Sequence, residues 1–140
     1  MKAVTYTEFG PPEVLQLSEV PKPVPKDDEV LIGVRAAAIN PLDWRFMRGE
    51  PAILRLFLGL RKPKRVGRDL AGAVEAVGAR VTQFKPGDPV FGFCAGALAE
   101  YACARASAVA RKPESVAFEQ AASVYTLSLH DALPNRKSVV

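Results

Sequence analysis

Twelve prolines and ten glycines fall between short apolar runs in this chain, a spacing that excludes long uninterrupted helices over most of it. Proline fixes φ and removes a backbone donor, while glycine opens turn conformations that other residues avoid. Short runs bounded in this way predict a β-rich domain with many turns. A first strand is expected at Met1 to Tyr6, a turn at Gly10-Pro11-Pro12 and a second strand at Val14 to Glu19. Pro21, Pro23 and Pro25 make an extended connection. Glu29 to Ala36 alternates most clearly, with Val30, Ile32, Val34 and Ala36 assigned to one face. Asp69 to Val77 is apolar on both faces, as a barrel strand would be. Val90 to Phe93, Leu98 to Ala104 and Ala108 to Arg111 complete a set suited to a small barrel or sandwich.

Helices are expected to be few and short. Asn40-Pro41-Leu42-Asp43 is a helix start: asparagine can cap, proline suits the first helical position, and an acid three residues after the cap can reach back. Gly49 should end that helix. A second helix is expected from about Ala117 through Ser123, and a third helical piece over Ile53 to Leu60.

The totals exclude several classes. Hydrophobic residues make up 49% and charged residues 24%, ordinary for a globular domain. The longest apolar stretch, Ala52 to Leu60, is interrupted by Arg55 and Gly59 and is far short of the roughly 20 residues of a membrane span. The first residues show no secretory pattern, and two cysteines, Cys94 and Cys103, suit a reducing compartment, so a cytoplasmic location is expected. The net charge is +4, with Arg45, Arg48, Arg55, Arg61, Lys62, Lys64, Arg65 and Arg68 concentrated in one stretch. That stretch is read either as an anion site or as a solvated basic loop. The loop reading is preferred, and nucleic acid is not expected as a partner, because no aromatic residues interleave Arg61 to Arg65.

Ala37-Ala38-Ile39-Asn40-Pro41-Leu42-Asp43-Trp44 resembles the medium-chain dehydrogenase/reductase family, and more closely its quinone-oxidoreductase-like branch. Further stretches agree in order: Pro11-Pro12-Glu13-Val14-Leu15, the glycine-rich Gly67 to Gly78, the Phe84 to Gly92 hairpin, Leu98 to Tyr101, and Pro113 to Ala122. The resemblance covers residues 1–123 and implies the family's GroES-like catalytic domain, a distorted β-barrel, mainly β with short helices. In the family this barrel packs against a Rossmann domain, which is absent here; no G-x-G-x-x-G or P-loop occurs in the sequence. Residues 124–140 depart from the family and resemble out-of-frame translation of a sequencing adapter, so they are expected to be a tail of truncation or frameshift.

The resemblance also implies a site. The zinc-dependent alcohol dehydrogenases have a zinc-ligating cysteine where this chain has Asn40, and glycine-histidine-glutamate where it has Gly67-Arg68-Asp69. Arginine does not deprotonate and cannot ligate, so no catalytic metal is expected. Cys94 and Cys103 match no zinc spacing and are expected to be buried or half-buried thiols. Asn40 is the candidate catalytic residue, as an amide donor to a substrate carbonyl or to the nicotinamide, alongside its role as a helix cap. Asn40, Pro41 and Asp43 are the candidate cofactor contacts, with capping the preferred role for Asp43 over orienting solvent or substrate. Trp44 and Arg68 are candidates for the substrate cleft. His130-Asp131 is set aside as an acid–base pair, since adjacent helical residues do not face each other.

The implied function is the N-terminal domain of a zinc-independent, NADPH-dependent reductase of quinones, enones or related carbonyl compounds, inactive without the Rossmann domain in cis and a homodimer when full length. The competing expectation is a stand-alone GroES-like interaction module without catalysis.

Overall fold

The computed structural model describes residues 1–50, 53 and 64–124. Eight strands run as β1 (Lys2–Tyr6), β2 (Gln16–Glu19), β3 (Glu29–Ala38), β4 (Lys64–Arg65), β5 (Asp69–Val77), β6 (Pro89–Phe93), β7 (Tyr101–Arg105) and β8 (Val109–Arg111). Helix α1 (Pro41–Arg48) follows β3, and helical backbone at residues 118–124, here α2, follows β8. Single 3-10 turns occupy Pro12–Val14 and Ala106–Ala108.

All pairings among these strands are antiparallel, in two sheets of order β2-β1-β4 and β7-β3-β5-β6-β8. The segment just before β7 joins the sheets: Val4 N–H donates to Leu98 O (2.9 Å), Glu100 N–H to Lys2 O (3.1 Å), and Val34 N–H to Glu100 O (3.0 Å). The expected strand from Leu98 is therefore shorter, because its first residues cross between sheets rather than lie in one. This is the mainly β architecture with short helices anticipated from the sequence, and the described residues form no Rossmann domain.

The core lies inside the five-stranded sheet. Val30, Ile32, Leu70 and Val90 are completely buried there, packed with Val74, Phe84 and Val109. At about 25 cal/mol per Å² of apolar area, each of these large side chains contributes about 1.5–3 kcal/mol to the folded state. The outer face of the same sheet is covered by α2, whose Ala121 and Ala122 pack on Ala71 with Ala36 and Phe91 beside them. That answers the two-sided apolarity of β5: Leu70 and Val74 face the barrel, Ala71 faces α2.

One facing assignment is corrected. Val30, Ile32 and Val34 share the barrel side of β3, but Ala36 packs on the α2 side and Ala37 takes the barrel side. The register explains it: Val34 pairs with Gly72 and Ala36 with Ala71, so Arg35 is an extra residue. Such a bulge bends the strand and reverses its alternation.

Helix α1 has the expected boundaries. Its C-terminal Gly49 adopts φ 65°, the left-handed conformation that lets its N–H reach Phe46 O (3.1 Å) while Glu50 N–H reaches Arg45 O (2.9 Å). The second expected helix starts one residue later than anticipated, with Ala117 N–H donating to Gln120 Oε1 (3.0 Å). The expected piece at Ile53 to Leu60 lies outside the described residues except for Ile53, and the expected tail lies outside them except for Val124.

Candidate functional site

The register of β3 against β5 builds the site. Ala38 pairs with Asp69, so the end of β3 and the start of β5 lie side by side. Two residues beyond Ala38 the chain reaches Asn40, and one residue before Asp69 stands Arg68. The sequence motifs that begin α1 and β5 therefore meet in space.

Asn40 holds both elements. Its Oδ1 accepts from Leu42 N–H (2.9 Å), its own N–H donates to Asp43 Oδ2 (2.9 Å), and its Nδ2 donates to Asp69 Oδ2 (2.8 Å). With the Asp43 N–H, which also meets the Asn40 side chain, the second of these bonds completes the expected capping box, and Asp43 sits in it with 5% of its surface exposed. The third was not anticipated. Asp69 is 3% exposed, and a buried carboxylate needs such donors.

Arg68 is not a surface residue. Its guanidinium carbon stands 3.9 Å from the Phe46 ring centre and 5.6 Å from that of Phe93, and its Nε lies 3.8 Å from Asp43 Oδ1. An arginine stacked on aromatic faces beside a carboxylate is held in one orientation. Burial pushes the Asp43 carboxyl above the usual carboxylate range, and the nearby Asp69 charge adds to this; the Asn40 N–H and the Arg68 charge work against it. Burial also raises the Tyr6 phenol, with Arg68 again opposing.

Beside this cluster lies a cavity of about 220 Å³ lined in part by Tyr6, Asp43, Phe46, Lys64, Arg65 and Arg68. Of the expected site residues, Asn40, Asp43 and Arg68 come together, and Asp69, which was not among them, joins through Asn40. Trp44 stands apart from the cavity lining, 41% exposed, with the Arg48 guanidinium 4.9 Å from its ring centre. The α1 aromatic that does line it is Phe46, three residues after Asp43 and so on the same helix face. Lys64 and Arg65 depart from the solvated-loop reading, since they form β4, half-buried against β1, while Arg55, Arg61 and Lys62 lie outside the described residues.

No group of three or more His, Cys, Asp or Glu side chains among the described residues is arranged to hold a metal ion. Cys94 is buried and Cys103 half-buried, both as free thiols. No helix among the described residues is long and apolar enough to cross a membrane.

The alcohol dehydrogenase GroES-like domain profile matches residues 26–114. A chloroplastic quinone-oxidoreductase homolog from Spinacia oleracea is 41% identical over 95% of this chain and 42% of its own length. The quinone oxidoreductase of Coxiella burnetii superposes with a TM-score of 0.87 at 33% identity, over 98% of this chain and 45% of that one. The Escherichia coli quinone oxidoreductase complexed with NADPH superposes with a TM-score of 0.83 at 28% identity, over 99% and 41%. The chain thus spans about two fifths of the length of the relatives it matches. It belongs to the alcohol dehydrogenase GroES-like domain family, within the quinone-oxidoreductase-like branch of the medium-chain dehydrogenases/reductases.

Proposed function

We propose that residues 1–123 are the substrate-side half of a zinc-independent, NADPH-dependent reductase of quinones, enones or related carbonyl compounds, and that the 140-residue chain alone is inactive. The observation that carries this reading is the Asn40–Asp69–Asp43–Arg68 cluster. By the resemblance, Asn40 stands where zinc-dependent members of the family keep a ligating cysteine, and an arginine clamped by two phenylalanines and a carboxylate, Arg68, stands in the place of their histidine. The NADPH complex of the Escherichia coli relative supports the choice of cofactor.

The described residues suit the nicotinamide end of such a cofactor and not its pyrophosphate. Asn40, Pro41 and Asp43 put polar groups at the start of α1, whereas no glycine-rich turn between a strand and a helix of a parallel unit is present among them to receive a diphosphate. When bound, the cofactor supplies the hydride. The chain's own part is to orient. Asp69 and Leu42 N–H fix the Asn40 amide plane, and in the assembled cleft Asn40 donates an amide N–H to the substrate oxygen, where charge develops as it is reduced. Arg68 and Phe46 wall the space beside it. The two free thiols support a reducing, cytoplasmic compartment. The reading also includes a homodimer for the full-length protein.

Joining residues 1–123 to the Rossmann domain of a close relative tests this directly. The chimera should reduce 1,4-benzoquinone with NADPH, and elemental analysis should show far less than one zinc per chain, while the 140-residue chain shows no turnover. Stoichiometric zinc that survives dialysis against a chelator, or turnover by the chain alone, would refute it.

A further inference from the structure

The cavity beside Arg68 carries an excess of positive charge that the reduction of a neutral quinone does not call for. Lys64, Arg65 and Arg68 line it, against Asp43 as the one acid among the described lining residues. Asp43 is spent on Arg68 and on the Asn40 N–H. Among the described residues neither Lys64 nor Arg65 has an ion-pair partner.

The fold holds both cations in place. Lys64 pairs across the strands with Tyr6 and Arg65 with Thr5, so their stems leave β4 on opposite faces, Lys64 on the face that borders the cavity and Arg65 on the face of Thr5, from which it lines both this cavity and a second pocket. Arg65 runs over Gly96, whose φ is 87°; a Cβ there would stand 2.7 Å from Arg65 Cβ and 3.0 Å from Nε, so glycine leaves room for the arginine stem. Both cations are half-buried, where their charges are screened less than on an open surface. Phe46 and Val66 add an apolar wall to the same cavity.

We propose that this cavity is a specificity subsite for an organic carboxylate: the carbonyl substrate carries an acid group that Lys64 and Arg65 bind, with its apolar body against Phe46 and Val66. The proposal rests on the reductase reading for the word substrate, but the binding does not. A cofactor phosphate shares the anionic chemistry and is separated from a carboxylate by the test.

The test is an NMR titration of the 140-residue chain with benzoate, benzamide and inorganic phosphate as probes. Benzoate should shift the backbone amides of residues 64–68 and 95–96, with benzamide weaker by on the order of tenfold, as expected for loss of charged hydrogen bonds. Lys64→Gln and Arg65→Gln should each weaken benzoate severalfold with unchanged thermal midpoints. Lys26→Gln, the same charge change at a residue outside the lining, should not. Benzamide binding as tightly as benzoate, phosphate binding more tightly than benzoate, or a Lys64→Gln/Arg65→Gln double variant that keeps wild-type affinity would each overturn the proposal. Because no turnover is measured, an inactive chimera with intact benzoate binding would count against the reductase reading alone.

Discussion

Two side chains, Cys94 and Asp88, show how burial and hydrogen-bond donors set chemistry residue by residue in this domain. Cys94 is 4% exposed, and burial pushes its thiol from an ordinary 9.0 up to about 12. The thiolate is the reactive form, so a folded molecule near pH 8 presents almost none of it at Cys94. Labelling with a thiol reagent should therefore modify Cys94 only as fast as the barrel opens, with half-buried Cys103 ahead of it and both fast in denaturant. Immediate reaction of both cysteines in native buffer would contradict the packing described. Asp88 goes the other way. Its carboxylate accepts from Lys85 N–H (2.9 Å) and lies 3.0 Å from Arg111 Nη2, and these donors hold it below its ordinary value of 3.8. A carboxylate depressed by folding stabilises the fold above its unfolded value and loses that contribution as pH falls through its folded value. Asp88→Asn should thus lower the urea midpoint at pH 7 and flatten its fall below pH 4, measured as midpoint against pH. An unchanged acid limb would show that Asp88 is not a source of it.

Elements differ in how much of them local sequence could announce. Helix α1 was legible to the residue because its signals are local: Asn40 and Asp43 close the capping box and Gly49 supplies the left-handed cap. β4 was not legible, since Lys64 and Arg65 have no strand pattern of their own and are extended only because β1 pairs with them. The reversal of Ala36 was hidden too, because a bulge at Arg35 depends on the register of a partner strand. Asp69 carried a faint signal, an acid at the head of an apolar strand, but its bond to Asn40 follows only from the Ala38–Asp69 register. In α2, the buried Ala121 and Ala122 pack on Ala71, where a long side chain has no room. Ala122→Leu should cost about 1–3 kcal/mol by overpacking. Deleting residues 125–140, by contrast, should leave the thermal midpoint almost unchanged if those residues are foreign to the domain. A loss of several kcal/mol on that deletion would show that they belong to its core.

At the scale of the whole molecule, the proposed division of labour gives substrate contacts to this domain and the dinucleotide to a second one. The basic stretch of this chain is divided by the fold: Arg68 is clamped, Lys64 and Arg65 line a cavity, and Arg48 covers Trp44. The central claim is that Asn40 acts on the reaction and not only on the helix. Asn40→Ser in the chimera tests it, because serine keeps the cap but is too short to replace the amide. Loss of one such donor costs about 3 kcal/mol in the transition state, on the order of a hundredfold in rate. Steady-state kinetics with NADPH and 1,4-benzoquinone should show kcat falling by about that factor, with KM changed little. A variant that turns over at the wild-type rate while melting at a lower temperature would contradict the claim and leave Asn40 a structural cap.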